Sequence, residues 1–406
     1  MKKRILWIAA DMTIAAVILL AVWIMDYKLP QGGVRAAAFP QTVGGAEAGQ
    51  GGSPGASDSR TTGGTEANQE IPTVGGAEAG QEIPVAGETE TGQKIPAGEE
   101  TETEQVALPE NSWRNQETES DVLQRTSVIM DIQDWHEKFA DKFTDTVIAT
   151  DTSYSSPNLS IQLTYSHYDT GILDLSGSGK HKKYGTQISY VLADIYVGDI
   201  TCFQTAFAQD TYGVGYTEKL SDMSAAMKAV LAVNGDSYSN NRHKDNGTII
   251  RNGVVYRSSP TDMETCVLNW DGTMDIYSPD QINLQQLIDK GAYQSWIFGP
   301  SLLDENGKAK DSFLTWSYIE ESHPRTAIGY FEPGHYCLLL VDGRQKSSRG
   351  MFPAEMAKVF ENLGCRAAYN LDGGHCSFMT FQDGTANHPY KPEHEITDGI
   401  FITEGL

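Results

Sequence analysis

The sequence is poor in positive charge, and this shortage excludes one class of function. It has 30 Lys and Arg residues against 54 Asp and Glu residues, which gives a net charge of −24. Nucleic-acid binding needs a basic surface, so we expect no nucleic-acid partner. A small phosphate-bearing ligand is still compatible with this charge, because a few Arg or Lys side chains suffice to bind it.

Cysteine is also scarce, with five residues that lie far apart in the sequence: Cys202, Cys266, Cys337, Cys365 and Cys376. No Cys-x-x-Cys pair is present, so neither a zinc ribbon nor a thioredoxin-type motif is expected. The odd number leaves at least one thiol free or paired between chains. We expect most of these residues to be small buried side chains. A disulfide outside the cell stays open, without an assigned pair.

Residues 29–120 have few aromatic residues and few of the aliphatic side chains from which a core is built. Three basic and sixteen acidic residues lie between Arg35 and Arg125, so this stretch carries a net charge of −13. The segment Thr42–Gln50 is repeated at Thr73–Gln81. Because the repeats are short and polar, we interpret residues 29–120 as a disordered, self-repelling acidic stalk and not as a solenoid.

The N-terminus carries a long apolar run. Three basic residues at positions 2–4 precede Ile5–Met25, which is long enough to cross a bilayer as a helix. The basic cluster predicts a cytoplasmic N-terminus and an extracytoplasmic C-terminal domain. Asp11 interrupts the run near its cytoplasmic end, at a cost that the apolar residues after it can offset. A cleaved signal peptide is the alternative, and we favour a single-pass transmembrane anchor over residues 1–28.

The remaining sequence predicts an α+β domain in residues 158–406, preceded by an amphipathic connecting segment in residues 121–157. Strand-like runs are rich in β-branched and aromatic residues and are bounded by Gly, Asp and Asn. These runs are Leu159–Tyr165, Ile188–Val197, Thr248–Tyr256, Cys266–Trp270, Ala327–Phe331, Tyr336–Val341 and Gly399–Thr403. Helices are predicted from Ser221 to Val230, at Leu284–Lys290 and at Phe352–Leu363. Since strands outnumber helices in an irregular order, we expect a mixed β-sheet domain with a few helices.

Candidate site residues occur where loops with Gly, Asn, Asp or Arg adjoin apolar strands. They are Asn234, Asp236, Tyr238, Arg325, Asp342, Arg344, Asn370, Asp372, Gly373, Gly374 and Ser377. In the segment Asn370–Ser377, two glycines follow an Asp that ends an apolar strand. Such a pair lets the backbone approach a ligand closely and can direct amide groups at an anion. Asn252-Gly253 is interpreted as a plain turn, and Asp342-Gly343 stays open between a turn and a site.

Taken in this order, these segments resemble the phosphodiester glycosidase family, whose bacterial members are often described as exopolysaccharide biosynthesis proteins. The resembling pieces are Val191–Val197, Thr205–Ala208, Ala232–Asp236, Ile250–Gly253, Pro324–Gly329, Val341–Arg344 and Asn370–Gly374 with Ser377. The resemblance covers residue 158 to the C-terminus. The sequence departs from the family pattern at His375 and Cys376, where a third small residue is common, and at Ser237, where a bulky residue is common.

The resemblance implies hydrolysis of the bond between the anomeric carbon of a sugar and a phosphodiester, as in an N-acetylglucosamine-1-phosphodiester on a cell-surface or extracellular glycan. The protein would then stabilise an oxocarbenium-like sugar and hold the phosphate. Asp372 and Asp236 are implied as the catalytic carboxylates, with their roles undivided. Arg325 and Arg344 would bind the phosphate. Substrate-binding roles are implied for Asn234, Tyr238, Asp342, Asn370, Gly373, Gly374 and Ser377.

Three alternatives stay open at this point. Asp236, Asp372, Asn234 and Asn370 carry hard oxygen atoms of the kind that Ca²⁺ binds, but the sequence has no Asp-x-Asp-x-Asp loop, so a metal site stays unassigned and no cofactor is certain. A non-catalytic module that binds a cell-envelope polymer would tolerate loss of either Asp, and the presence of both favours an enzyme. A structural envelope protein that reuses the fold is the third alternative.

Overall fold

The protein is described from a computed structural model, which covers residue 17 and residues 31–37, 125–127, 132–240 and 242–405. The predicted anchor lies outside these residues apart from Val17, and most of the predicted stalk lies outside them as well. Within the part of the chain that the structure covers, no helix has the length and apolar character needed to span a bilayer. The anchor therefore stays a prediction.

Short strands dominate the described residues. They are β1 (Gln31–Arg35), β2 (Arg125–Thr126), β3 (Ile148–Ala149), β4 (Ser153–Ser155), β5 (Leu159–Asp169), β6 (Gln187–Val197), β7 (Phe203–Phe207), β8 (Thr211–Val214), β9 (Leu231–Asn234), β10 (Thr248–Arg251), β11 (Val254–Ser258), β12 (Thr265–Asn269), β13 (Met274–Tyr277), β14 (Ala292–Trp296), β15 (Arg325–Glu332), β16 (His335–Val341), β17 (Ala367–Asn370), β18 (Met379–Phe381), β19 (Gly384–Thr385) and β20 (Asp398–Ile402). The α-helices are α1 (Ser176–Gly179), α2 (Leu220–Met227), α3 (Leu284–Lys290), α4 (Ser317–Glu320) and α5 (Pro353–Leu363). The α+β class with few helices is confirmed.

Two large antiparallel sheets form the centre of the fold. The first has seven strands in the order β17-β15-β16-β6-β5-β4-β3, and the second has five in the order β19-β18-β9-β20-β7. Smaller sheets are formed by β10-β11-β2, by β13-β12-β14 and by β1-β8. Neighbouring strands in each of these sheets run antiparallel.

The main core lies between the inner faces of the two large sheets. Residues of β5 alternate in burial, with Leu159, Ile161 and Leu163 buried and Gln162 exposed, as expected for a strand that covers a core on one face. These side chains pack in one cluster with apolar residues of the five-stranded sheet, among them Leu231 and Ile400. The core therefore holds the two sheets together face to face.

A helix covers the outer face of each large sheet. Met356 and Phe360 of α5 pack on Leu339 of the seven-stranded sheet. Leu220 of α2 packs in a cluster with Phe401 of the five-stranded sheet. The fold thus has four layers, in the order helix, sheet, sheet and helix.

The predicted helices are present, with small differences at their ends. Helix α3 has the predicted bounds, and α5 begins with Pro353 and ends before Gly364, whose φ of 81° is the left-handed conformation that glycine tolerates best. Helix α2 is shorter than predicted because Lys228 already has a left-handed φ of 52°. Its N-cap residue is Lys219, and Ser221 instead donates from its hydroxyl to Glu393.

The domain begins before residue 158, which corrects the predicted boundary. Trp135 and Phe139, in the segment predicted to be a connection, are buried and belong to the main core. Strands β3 and β4 lie before residue 158 as well and extend the seven-stranded sheet. Further upstream, β1 lies in the predicted stalk but pairs with β8. Hydrophobic burial therefore places residues 132–157 within the folded domain.

All five cysteines are free thiols in the structure, and all but Cys376 are buried. The sulfur atoms of Cys337 and Cys365 are 3.9 Å apart, beyond bonding distance. Burial raises the pKa of Cys202 to about 12, so this thiol is protonated at neutral pH. Four of the five cysteines thus occupy the buried positions expected of small apolar side chains.

Candidate functional site

Polar residues at the ends of several strands converge at one edge of the two large sheets. Strand β15 runs antiparallel to β16 and β17, so its first residue, Arg325, lies opposite Val341 at the end of β16. Asn234 ends β9 of the other sheet, and its side-chain amide donates to the backbone carbonyl of Asp372 over 2.7 Å. This bond joins the loop after β17 to the end of β9, and the two sheets together frame a cleft.

The cleft has a volume of about 520 Å³. Its lining includes five residues singled out from the sequence, namely Arg325, Arg344, Asp372, Gly373 and Gly374. It also includes residues that the sequence analysis did not select, namely Asn240, Arg242, His243, Phe298, Trp316, Tyr318, Ile319, His323 and His375. Aromatic walls with a few charged groups are typical of ligand sites.

Asp372 is the one acidic residue among the cleft-lining residues that the structure describes. Its backbone amide donates to the carbonyl of Gly235, and its carboxylate accepts the amide of Gly373 over 2.8 Å. Burial raises the pKa of Asp372 to about 6, although hydrogen bonds from Cys376, Gly373 and Ser237 favour its ionised form. The carboxylate therefore changes its charge within one or two pH units of neutrality.

Arg344 places a cation beside this carboxylate. Its guanidinium donates to the hydroxyls of Tyr390 over 2.8 Å and Tyr318 over 2.9 Å, and no carboxylate within the described ranges forms an ion pair with it. A Cβ at Gly374, two residues after Asp372, would lie 3.1 Å from this guanidinium. An arginine held by hydroxyls in this way keeps N–H groups for an anionic ligand.

The imidazole of His323 is neutral and accepts a hydrogen bond from Arg344. Burial, with the nearby charges of Arg325 and Arg344, lowers the pKa of His323 to about 3. Its Nε2 lies 2.9 Å from the carbonyl of Tyr318, and its Nδ1 lies 3.4 Å from Arg344 Nη2. The tautomer that fits both contacts has the proton on Nε2, so that Nδ1 accepts from the guanidinium.

Arg325 touches the cleft, but most of its donors are used inside the protein. It donates to the backbone carbonyls of Met351 over 3.1 Å and Glu321 over 2.6 Å, and also to that of Ile319. Burial lowers the pKa of Arg325 to about 9, so its guanidinium is still charged at neutral pH. The geometry corrects its predicted role as a bidentate phosphate ligand, because its guanidinium holds the α4 segment in place.

Asp236 does not reach the cleft, which corrects its predicted pairing with Asp372. Its side chain is fully buried, and its carboxylate accepts the backbone amides of Ile297 and Phe298 over 2.7–3.0 Å. Burial raises the pKa of Asp236 to about 7, while Arg251 favours the ionised form. A carboxylate whose oxygens are enclosed in this way cannot contact a substrate.

A buried charge cluster explains why Asp236 is present. Arg251 lies 2.6 Å from Asp398 and 3.8 Å from Asp236, and all three side chains are at most 2% exposed. Asp398 also accepts the backbone amides of Asp236 and Ser237. The cluster therefore fixes the turn after β9 and, through Asp236, the backbone that carries Phe298 in the cleft wall.

Asn234, Asn370 and Ser377 are buried next to the cleft and do not line it. The oxygen of Asn234 accepts the hydroxyl of Thr326 over 2.6 Å. The amide of Asn370 donates to the carbonyl of Gly299 over 2.6 Å. The structure thus places both asparagines where they hold the loops around Asp372, instead of in contact with a substrate.

Tyr238 and Asp342 lie outside the cleft, which also corrects the sequence analysis. Tyr238 is buried, stacks on Tyr212 and bonds the backbone of Gly213. Asp342 accepts from Asn387 and from the backbone of His388 beside a separate cavity of about 180 Å³. Asp342 directly follows β16 and Tyr238 lies in the loop four residues after β9, as predicted, but the side chain of each points to another side of the fold.

The amides of the two glycines after Asp372 are already used. Gly373 donates to the Asp372 carboxylate, and Gly374 donates to the carbonyl of Pro324 over 2.9 Å. These contacts replace the predicted direct contacts with an anion. The absence of a side chain at Gly373 has a steric reason, since a Cβ there would lie 2.7 Å from the Pro324 oxygen.

The oxygen atoms considered for a metal do not form a cation site. Within residues 132–240 and 242–405, no group of three His, Cys, Asp or Glu side chains is arranged to hold a metal ion. The side-chain oxygen of Asn234 already accepts the hydroxyl of Thr326, and the carboxylate of Asp236 is enclosed by backbone amides. A calcium site therefore gains no support from these two residues.

Two cleft segments were missed because neither resembles a strand-end motif. Asn240, Arg242 and His243 belong to a polar turn six to nine residues after Asn234. Trp316 directly precedes the short helix α4, and Tyr318 lies within it. The available signal was weak and consisted of a dense run of polar residues directly after the β9 turn and of two aromatic residues, Trp316 and Tyr318, two positions apart. Their convergence depends on tertiary packing that no local pattern encodes.

The sequence of this region is similar to known proteins. Residues 227–403 match the family model described as phosphodiester glycosidase. The SPbeta prophage-derived uncharacterized protein YomE of Bacillus subtilis (strain 168) is 32% identical over 193 residues, which are 47% of this chain and 29% of that protein. The chain thus spans less than a third of the length of this curated relative.

Solved structures show more distant likenesses. The catalytic domain of zebrafish N-acetylglucosamine-1-phosphodiester alpha-N-acetylglucosaminidase, auto-inhibited by its pro-peptide, is 21% identical with a TM-score of 0.45 and covers 61% of this chain and 89% of that one. A hypothetical protein from Synechocystis is 12% identical with a TM-score of 0.43 and covers 61% of this chain and 62% of that one.

Proposed function

We propose that the protein hydrolyses a sugar-1-phosphodiester bond in this cleft, because residues 227–403 match the family model described as phosphodiester glycosidase. An N-acetylglucosamine-1-phosphodiester on a cell-surface or extracellular glycan is the proposed substrate type. The observation that carries the proposal is the combination of one carboxylate, Asp372, with the cations of Arg344 and Arg242.

A single carboxylate is sufficient for a phosphate leaving group, whereas the leaving group of an ordinary glycoside needs a second carboxyl group to protonate it. Most glycosidases use two carboxyl groups, one of which protonates the leaving oxygen. Cleavage of the bond between the anomeric carbon and the phosphate oxygen releases a phosphate monoester, which is a stable anion at neutral pH and needs no such proton. Among the described cleft residues only Asp372 is acidic, so the cleft offers one carboxylate for the sugar and arginines for the departing phosphate.

The roles follow from these positions. Asp372 acts on the anomeric carbon, either as a nucleophile or by activating water, and it does so in its ionised form. Arg344 binds the phosphate, and its charge stabilises the negative charge that develops on the leaving oxygen. Asp236, Asn234, Asn370 and the guanidinium of Arg325 position the loops around the site through the hydrogen bonds that they make.

Hydrolysis of an N-acetylglucosamine-1-phosphodiester by the purified chain tests the proposal. The released sugar would be quantified for the parent and for Asp372→Asn, with Asp311→Asn as a control at an exposed carboxylate. Release by the parent and the control, but not by Asp372→Asn, is expected. No release by a folded parent from a panel of sugar-1-phosphodiesters would contradict the proposal, and binding without release would favour a polysaccharide-binding module.

We also propose that residues 1–28 anchor the protein in the cell membrane, with the C-terminal domain outside the cytoplasm. The support is the basic cluster at positions 2–4 and the apolar run Ile5–Met25. Cell fractionation tests the proposal, because deletion of residues 1–28 is expected to move the chain out of the membrane fraction. Recovery of the intact chain in the soluble fraction would contradict it.

A further inference from the structure

His243 is a buried histidine in the cleft wall that lacks hydrogen-bond partners. Its side chain is 0% exposed, and neither ring nitrogen has a partner among the residues that the structure covers. Buried polar atoms are nearly always hydrogen-bonded, because leaving one unpaired costs about 1–3 kcal/mol. An imidazole left in this state beside a cleft indicates that a ligand in the cleft completes its bonding.

Aromatic rings surround this histidine. The ring centroid of Phe298 lies 5.3 Å from that of His243, and the centroid of Trp316 lies 5.1 Å from it. Both aromatic residues line the cleft. This part of the cleft therefore combines apolar surface with the imidazole of His243 and the guanidinium of Arg242, which lies 5.1 Å from the centroid of the Trp316 ring. Aromatic rings with a few polar groups are the composition by which proteins orient a sugar-like ligand.

The charge state of His243 narrows the chemistry of that ligand. Burial, together with the charges of Arg257 and Arg242, lowers the pKa of His243 to about 4, so the ring is neutral at neutral pH. A neutral imidazole has one nitrogen that donates and one that accepts. The oxygens of a phosphodiester only accept, so they leave the accepting nitrogen without a partner. The hydroxyl and acetamido groups of a sugar both donate and accept.

The part of the cleft around Arg344 is more strongly polar. Arg344 lies there with the hydroxyls of Tyr318 and Tyr390, and a neutral His323 accepts from its guanidinium. That end presents donors and positive charge, which suit phosphate oxygens. The contacts of Arg344 and those of His243 involve different residues, so the two ends can bind different parts of one substrate.

We propose that His243, Phe298 and Trp316 form the sugar subsite, in which His243 exchanges hydrogen bonds with hydroxyl or acetamido groups while the aromatic rings pack on the sugar ring. The inference rests on the proposed function and deepens it by assigning the two ends of the cleft to the two parts of the substrate. His243 is then a specificity-determining residue, because a site built to hydrogen-bond a polar group rejects ligands that lack it.

Binding measurements on the full-length chain test this assignment without turnover. Ligand-detected NMR titrations would give the Kd of N-acetylglucosamine and, separately, of dimethyl phosphate. The variants are His243→Phe, which keeps an aromatic ring but no hydrogen-bonding atom, and His243→Gln, which keeps a donor and an acceptor. Arg344→Gln probes the other end, and His167→Phe repeats the first substitution at an exposed histidine.

We expect His243→Phe to weaken sugar binding at least about tenfold, as loss of a good hydrogen bond implies, and to leave dimethyl phosphate binding within about twofold. His243→Gln should recover part of the sugar affinity, and Arg344→Gln should weaken dimethyl phosphate selectively. The melting temperature of His243→Phe should be unchanged or raised, because the substitution removes two unpaired buried atoms. His167→Phe should change neither affinity.

Three results would overturn the assignment. The first is sugar binding unaffected by His243→Phe, and the second is equal weakening of both ligands. The third is a parent that binds none of a panel of monosaccharides. A lowered melting temperature with intact sugar binding falls under the first result and would show that the imidazole stabilises the fold. Selective loss of sugar binding in a chain that hydrolyses no phosphodiester would keep the subsite and refute the proposed hydrolysis alone.

Discussion

The pKa of Asp372 is the residue-scale feature with the most direct consequences. Burial raises it to about 6, so the ionised form that the proposed mechanism requires becomes dominant only above that pH. We expect kcat/KM to rise through about pH 6 and then level off, and we expect Asp372→Asn to lower it by roughly 10²–10⁴-fold. A pH–rate profile that is flat between pH 5 and 8 would contradict this assignment.

The same carboxylate should reduce the stability of the folded protein at neutral pH. A folded-state pKa above the unfolded value of about 3.9 means that the folded protein binds the proton more tightly, so stability falls as pH rises from 4 to 6. Asp372→Asn is therefore expected to raise the free energy of unfolding by about 1–3 kcal/mol at pH 8 and to change it little at pH 4. Urea denaturation at both pH values measures this, with Asp311→Asn as the exposed control.

Arg344 and Arg325, which both line the cleft, should respond differently to substitution. Arg344→Gln removes a cation that the proposed phosphate needs, so we expect about a 10²-fold loss of kcat/KM with little loss of stability. Arg325→Gln leaves backbone carbonyls unpaired, so we expect a loss of stability of about 2–4 kcal/mol. Thermal unfolding and kinetics on both variants separate the two effects. An equal loss of stability in Arg344→Gln would contradict the assignment of phosphate binding to Arg344 and of a structural role to Arg325.

At the scale of elements, the turn after β17 depends on a glycine for steric reasons. A Cβ at Gly373 would lie 2.7 Å from the backbone oxygen of Pro324, whereas at Gly384 the nearest atom would be 3.7 Å away. We expect Gly373→Ala to shift the turn, to cost about 1–3 kcal/mol of stability and to abolish most activity. Gly384→Ala is the matched control and should behave as the parent does. Normal activity of Gly373→Ala would show that the turn tolerates the shift.

Local patterns in the sequence predict the elements well and the contacts between them poorly. Helix α3 has its predicted bounds because capping residues and apolar spacing are local signals. The positions of Asp236, Asp342 and Tyr238 at strand ends were predicted as well, but not the direction of their side chains. That direction depends on which loop packs against each strand end, and the sequence alone does not determine it.

The residues that line the cleft show the same limit of sequence-based prediction. Asp372 and Arg344 were selected because each follows an apolar strand in a Gly-containing loop. His243 was not selected, because its significance lies in the absence of partners, which only the packed structure shows. The aromatic residue Trp316, which lies near it, is more than seventy positions away in the sequence. Sequence reasoning therefore selected only those cleft residues that resemble a motif.

At the scale of the whole molecule, the folded domain includes residues before 158. Trp135 and Phe139 fill positions in the main core, and loss of a buried aromatic side chain costs about 3–5 kcal/mol. We expect a fragment that begins at residue 121 to melt cooperatively at a higher temperature than one that begins at residue 158. Circular dichroism melts of the two fragments measure this. Equal melting temperatures would place the segment outside the cooperative unit.

Strand β20 lies between β9 and β7, although it is the last strand in chain order. Until it is inserted, β9 and β7 each present a row of unpaired backbone amides and carbonyls, and Arg251 lacks the carboxylate of Asp398. Open strand edges pair readily with other chains. A chain that stops short of residue 398 therefore leaves the facing edges of β9 and β7 unpaired in the middle of the sheet. Such a chain is expected to aggregate and not to persist as a partly active protein.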